Sequence, residues 1–203
     1  MAERFRQGWV EAGRPPIGGI AFAPAAAAMV YGIRGDDEAR LEWLDVRSEM
    51  RRVLDTVRDE PGYSRVFNAL VALHRGRLDD AFTSLADAPE TLRQASGAHD
   101  GAWRPWYAAL WAESAVLAAL PDRGSRLDRA RFVIRGNPIA AALVDRAEAI
   151  DGGNTERLLA TAAALDEGGC RYQYARTLVF AGGDARIEGE AIMAAIGATP
   201  MAT

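Results

Sequence analysis

The stretch Asn137-Pro138-Ile139-Ala140-Ala141-Ala142-Leu143-Val144-Asp145-Arg146-Ala147-Glu148-Ala149-Ile150-Asp151-Gly152-Gly153 decides the fold. An Asn-Pro start opens an Ala-rich run, and a Gly-Gly turn closes it. Ile139, Leu143, Ala147 and Ile150 recur at i, i+4, i+8 and i+11, which is one face of an α-helix. Beyond the turn, Leu158, Leu159, Ala162, Ala163 and Leu165 continue as a second amphipathic helix. The same unit follows again: Tyr172, Ala175, Leu178 and Val179 run to Gly182-Gly183, then Ile187, Ala191, Ile192, Ala195 and Ile196 lead to Gly197 and Pro200. Gly153 and Gly183 are 30 residues apart. A helix of about a dozen residues with one apolar stripe cannot bury that stripe alone, so recurring helix pairs imply neighbours stacked along an axis.

Working outward, the same punctuation extends over the chain. Residues 2–12 predict a short helix carrying Phe5 and Trp9, closed by Gly13 and Pro15-Pro16. Pro24 suits the first turn of a helix reaching about Ile33. Gly35 and Asp36-Asp37 are a stop and a start for a helix extending to about Val57, broken by Pro61-Gly62. Tyr63, Val66, Phe67, Leu70, Val71 and His74 give the cleanest helical period, followed by Gly76 and a helix bearing Leu78, Phe82 and Leu85. Pro89 predicts a short helix ending at Gly97, and residues 96–104 read as a long polar interruption. A helix from about Pro105 to Leu120 is apolar almost all round and must be covered on several sides. Pro121 and Gly124 lead into a helix around Leu127, flanked by Arg123, Arg126, Arg129, Arg131 and Arg135. Within-pair turns near Gly35, Gly76, Gly124, Gly153 and Gly183 are separated by 41, 48, 29 and 30 residues. The expectation is an all-α protein without β-sheet: an α-solenoid of about eleven helices in antiparallel pairs. It reads as one domain over residues 1–203, less regular over 1–103 and regular over 104–203.

All 24 basic residues are Arg. Without Lys the chain cannot encode a P-loop, a kinase strand Lys or a pyridoxal Schiff base. A net charge of −4 and a pI near 5.3 argue against general binding to a phosphate backbone. One cysteine, Cys170, excludes an internal disulfide and suits a reducing cytoplasm. Residues 15–33 carry no charge, but their Gly, Ala and Pro content reads as a buried helix and not as a membrane span or leader.

Tyr172, Ala195 and Pro200 stand where the tetratricopeptide consensus has an aromatic, a small residue and a terminal proline, while Arg176 and Glu188 occupy small-residue positions. The chain thus resembles degenerate tetratricopeptide-like (TPR-like) repeats. Tyr172 to Leu178 with Gly182-Gly183, Ala194 to Pro200, and Gly136 to Ala140 look like the helical-repeat region of large bacterial LuxR-type transcriptional regulators and related signal-transduction ATPases. The resemblance implies a non-catalytic sensor or interaction region with a concave surface. Its partners would be a small-molecule inducer or another protein, working beside an ATPase and a DNA-binding domain that these residues do not encode. The alternative is a stand-alone scaffold or homodimerisation module with no small-molecule site. No cofactor is implied.

Candidate binding residues are His99, Trp103, Trp106, Tyr107, Trp111 and Glu113. The aromatic run either lines a groove for sugars, peptides or ring ligands or fills a core at i, i+3, i+4 spacing, and the spacing favours the core. Glu113 shares a face with Trp106; as a buried carboxylate it needs a partner, expected among the arginines of 123–135, unless it recognises a ligand. His99 with Asp100 falls in the polar interruption. His74, His99 and Cys170 make no zinc pattern; His74 reads as a helix-end residue favoured by the dipole. Asp36-Asp37 and Asp79-Asp80 read as helix caps, not as a catalytic pair. The arginines of 123–135 read as a solvated or ion-paired face, and Cys170 as packing.

Overall fold

The computed structural model describes residues 1–52, 62–92 and 98–202, with no account of the side chains of 98–101. Helices are α1 (Ala2–Glu11), α2 (Phe22–Ile33), α3 (Asp37–Arg51), α4 (Gly62–His74), α5 (Leu78–Ser84) and α6 (Ala98–Leu117). They continue as α7 (Arg123–Val133), α8 (Pro138–Asp151), α9 (Thr155–Glu167), α10 (Arg171–Ala181) and α11 (Gly183–Ala195). A 3-10 turn at Gly18–Ile20 precedes α2, and no strand occurs among the described residues. The chain is all-α. The boundaries follow from local chemistry: Asp36 accepts from Ala39 N at 3.0 Å, Asn137 from Ala140 N at 2.9 Å, and Asn154 from Arg157 N at 2.9 Å. Each side-chain oxygen satisfies an N–H that the first turn leaves free.

Four local expectations are corrected. The segment assigned to a polar interruption is helical from Ala98, and Pro105 lies inside α6 and not at its start. Pro89 to Thr91 form a turn, not a helix; the remainder of the helix predicted to Gly97, like the extension of α3 to Val57, falls outside the described residues. Gly124 is the second residue of α7. The turn before it is made by Ala119 at φ 52°, with Leu120 N donating to Ala115 O at 2.9 Å, an αL cap that usually selects glycine.

Consecutive helices α2–α3, α4–α5, α6–α7, α8–α9 and α10–α11 pack as pairs, and their short connections make each pair antiparallel. The first helices of the pairs also pack in line, α2 on α4, α4 on α6, and α6 on α8. Residues 107–116 of α6 are buried throughout because α4, α5, α7 and α8 surround them. One apolar cluster joins α2, α4, α5 and α6 around Phe67, Leu70, Tyr107 and Leu110; a second joins α6, α7, α8 and α9 around Ala112, Leu127, Leu143 and Leu165. A small third cluster holds Trp9 of α1 against Met50 of α3. Trp106 packs against both large clusters and ties them together.

The C-terminal end does not continue outward. The side chains of α10 reach α4, α6 and α8, and the tail after Gly197 returns to the beginning of the array. Thr199 N donates to Ile33 O at 3.0 Å, and Ala202 N to His74 O at 3.1 Å. These carbonyls end α2 and α4, where the helices have no internal donor left. Gly35 and Gly76, at φ 79° and 67°, make the tight approach possible: a Cβ on either would lie 2.8 Å from Thr199 Cγ2 or Ala202 Cβ.

At the α10–α11 crossing, a Cβ on Gly189 would fall 2.6 Å from the backbone oxygen of Ala175. Gly189→Ala is therefore expected to destabilise by about 1–3 kcal/mol through overpacking, although alanine is the better helix former by about 1 kcal/mol. A urea midpoint unchanged or raised in this variant would show that the two helices separate freely.

Candidate functional site

Beneath the returning tail lies a cluster of charged side chains with no exposed surface. Glu113 of α6, Arg146 of α8, Arg176 of α10 and His74 of α4 are each 0% exposed. The face of α10 that builds the cluster carries Tyr172, Gln173, Arg176 and Thr177, the i, i+1, i+4, i+5 set that one helical face presents. Each neighbour meets a different part of it: α4 through His74, α6 through Glu113, and α8 through Arg146.

Every nitrogen of Arg146 has an acceptor. Its Nε donates to Glu113 Oε2 at 2.8 Å, joined by Nη2 on the same oxygen, and Nη1 donates to Gln173 Oε1 at 2.8 Å and Thr177 Oγ1 at 3.2 Å. Arg176 is different. Its Nη2 lies 2.6 Å from Glu113 Oε1, a charge-assisted contact that helps hold the carboxyl ionised. Nε and Nη1 of Arg176 are buried without a hydrogen-bond acceptor among the described residues. One face of the guanidinium is covered by the Phe180 ring, 5.3 Å to the centroid.

Burial by itself would push the Glu113 carboxyl up, but the fields of Arg146 and Arg176 outweigh it and hold Glu113 below its ordinary value. Burial lowers the Arg146 guanidinium, with Glu113 opposing; a guanidinium nevertheless stays charged in proteins. One carboxylate and two guanidiniums leave the cluster one positive charge in excess. A group held this firmly as a carboxylate is not a proton donor or acceptor near neutral pH.

His74 continues the network toward the tail. Tyr172 Oη lies 3.2 Å from Nδ1, Nε2 lies 3.1 Å from Thr199 Oγ1, and Thr199 Oγ1 donates to Ile33 O at 3.0 Å. Because the Thr199 proton goes to Ile33, Thr199 must accept from Nε2–H, and Nδ1 then accepts from Tyr172. This assigns the neutral Nε2–H tautomer from the network. Burial, then Arg176, lowers the His74 pKa to about 4. Desolvation thus overrides the helix-dipole effect expected from its place at the end of α4. Burial also lifts the Tyr172 phenol to about 12.

The residues singled out in the sequence are placed as follows. Tyr107 is buried, and its hydroxyl donates to Asp87 O at 2.9 Å. Trp111 is buried beneath Arg126 and Arg129, whose guanidiniums lie 4.6 and 4.9 Å from its ring centroid. Trp103 is partly exposed and meets Phe67 edge-on at 5.1 Å; Trp106 is partly exposed at the seam of the two clusters. The His99 side chain lies outside the described residues. Glu113 is buried as expected, but its partners are Arg146 and Arg176, not arginines of 123–135. Those arginines serve the surface instead: Arg123 pairs with Asp151, Arg126 with Asp122, Arg129 with Glu90, and Arg131 with Asp145 and Glu148. Asp36 caps α3 and Asp37 pairs with Arg75 at 2.7 Å. Cys170 is half-buried before α10, its thiol raised by burial.

Arg146, Gln173, Arg176 and Thr177 were missed as a group. Two signals pointed to them: Arg146 interrupts the apolar face of α8 between Leu143 and Ile150, and Arg176 stands where a small residue is expected. Among the described residues no three His, Cys, Asp or Glu side chains converge as a metal site, and no helix is long and apolar enough to cross a membrane. No family model, curated protein or solved structure matches the chain; the reading of this site rests on its own geometry.

Proposed function

We propose that this chain is a non-catalytic TPR-like binding module, the sensor or interaction region of a bacterial transcriptional regulator acting in the cytoplasm. The observation that carries the reading is the row α2–α4–α6–α8 with α10 laid against its side chains. In-line packing of alternate helices is how helical repeats build an inner surface. That surface already receives one helix through specific polar contacts, the helix-in-groove mode of recognition. The resemblance of 172–178 and 194–200 to LuxR-type regulators supports placing the module in signal transduction. Partner or inducer binding would act by shifting how the helical pairs sit against flanking domains.

Trp103 and Trp106 are the members of the aromatic run with exposed surface, and they are the reporters of choice. Purified protein is screened by tryptophan fluorescence and thermal shift against sugars, nucleotides, amino acids and amphipathic helical peptides. A saturable spectral change with a raised melting temperature, lost in Trp103→Ala, is the expected result. A silent screen combined with a concentration-dependent dimer in sedimentation would replace this reading with the homodimerisation scaffold.

A further inference from the structure

We propose that the C-terminal ends of α2 and α4 form a cleft that binds a partner protein's segment with the chemistry of Thr199-Pro200-Met201-Ala202, and that these residues occupy it here as an autoinhibitory stand-in. The seat is built for main chain. Ile33 O and His74 O lie where their helices leave carbonyls without internal donors, and they accept the amides of Thr199 at 3.0 Å and Ala202 at 3.1 Å. Ile196 O accepts from Arg34 Nη2 at 3.3 Å. Two glycines clear the path, since a Cβ on Gly35 or Gly76 would lie 2.8 Å from Thr199 Cγ2 or Ala202 Cβ. Side chains add selection. The Thr199 hydroxyl donates to Ile33 O and accepts from Nε2 of His74, a ring with 0% exposure. Met201 is buried while its neighbours Pro200 and Ala202 are exposed.

Residues 198–202 belong to no helix. Their release breaks the two main-chain bonds and the Thr199 contacts but leaves every helix ladder intact, which places such an opening at the low end of local unfolding free energies. A segment of the same chemistry on another protein would then meet the same acceptors. Main-chain pairing supplies affinity, and the Thr and Met positions supply specificity, the division of labour that strand-type peptide recognition also uses. The inference rests on the reading of the chain as a binding module and names the partner's chemistry. It uses neither Trp103 nor Trp106, so the tryptophan screen and the test below can fail separately.

A fluorescently labelled synthetic copy of residues 196–202 is titrated with the full chain carrying Thr199→Ala and Ala202→Pro, which remove one hydroxyl and one amide donor from the resident segment. Saturable anisotropy is expected, at least about tenfold tighter than for the unaltered chain, whose tethered segment competes at an effective concentration on the order of millimolar. Gly76→Ala added to that background weakens binding, and a peptide carrying Ala202→Gly restores it, which locates the peptide against Gly76. No saturable binding, equal binding of a scrambled peptide, or equal affinity of altered and unaltered chains would overturn the proposal. A dimer of the unaltered chain that the peptide dissociates in sedimentation would overturn the partner assignment and give the seat to a second copy. Should the doubly altered chain fail to fold, the unaltered chain decides: about 10 mM peptide, enough to compete with the tethered segment, is expected to move the Thr199 and Ala202 amide resonances to those of a released segment. Unmoved resonances would overturn the proposal.

Discussion

Glu113→Gln lowers stability by roughly 3–5 kcal/mol, the expected cost of removing one partner from a buried ion pair. The substitution keeps the shape of the side chain and deletes only its charge. Arg146 and Arg176, both 0% exposed, would then face each other as buried like charges across α8 and α10. Replacing all three residues together by methionine or leucine is expected to be far milder, neutral or even stabilising, because no uncompensated charge is left behind. Urea unfolding with a constant m value measures both. A Glu113→Gln variant within about 1 kcal/mol of the parent would mean that water reaches the cluster and screens it. The contrast between single and triple replacement separates what the ion pairs contribute to stability from what they contribute to holding α10 in register.

Acid exposes the second large effect. In the unfolded chain His74 titrates near its ordinary value of 6.5, and in the folded protein near 4, lowered first by burial and then by Arg176 and Arg75. Between these values the unfolded state binds a proton that the folded state refuses, so the His74 contribution lowers stability as pH drops from about 6.5 to about 4 and is constant below. The span corresponds to roughly 3 kcal/mol. Glu113 acts in a different window: its carboxyl is depressed, so its contribution holds above the ordinary carboxylate value and is lost at still lower pH. His74→Gln keeps an uncharged hydrogen-bonding side chain between Tyr172 and Thr199 and is expected to flatten the slope between pH 6.5 and 4. An equal slope in parent and variant would assign the acid sensitivity to other groups.

The boundaries that the sequence reveals are those settled within a turn of the chain. Asn137-Pro138 opens α8 because the amide oxygen reaches Ala140 N, three residues on, and the apolar period of 63–74 becomes the buried face of α4. Where two local signals compete, the reading slips. Pro105 resembles a first-turn proline yet lies within α6, because packing of Trp103 on Phe67 holds the preceding turn helical. Ala119 adopts αL without being glycine, with Leu120 N closing the turn on Ala115 O. At the site, the burial of Glu113 is legible from the apolar helix around it, whereas its partners are not: Arg146 and Arg176 lie 33 residues away and on a further helix pair, respectively.

By itself the amino-acid order determined that this chain is all-α, where most helices start and stop, and that adjacent helices pair, since capping, periodicity and short connections act over a few residues. The tertiary structure alone decided that α10 lies across α4, α6 and α8, and that the tail ends on carbonyls of α2 and α4. Those contacts join residues 98 and 166 positions apart. They depend on how successive helix pairs pack on one another, which no single stretch of sequence encodes. The charged cluster has the same origin: each arginine is an ordinary residue on its own helix, and only the packing of α6, α8 and α10 brings two of them to one carboxylate.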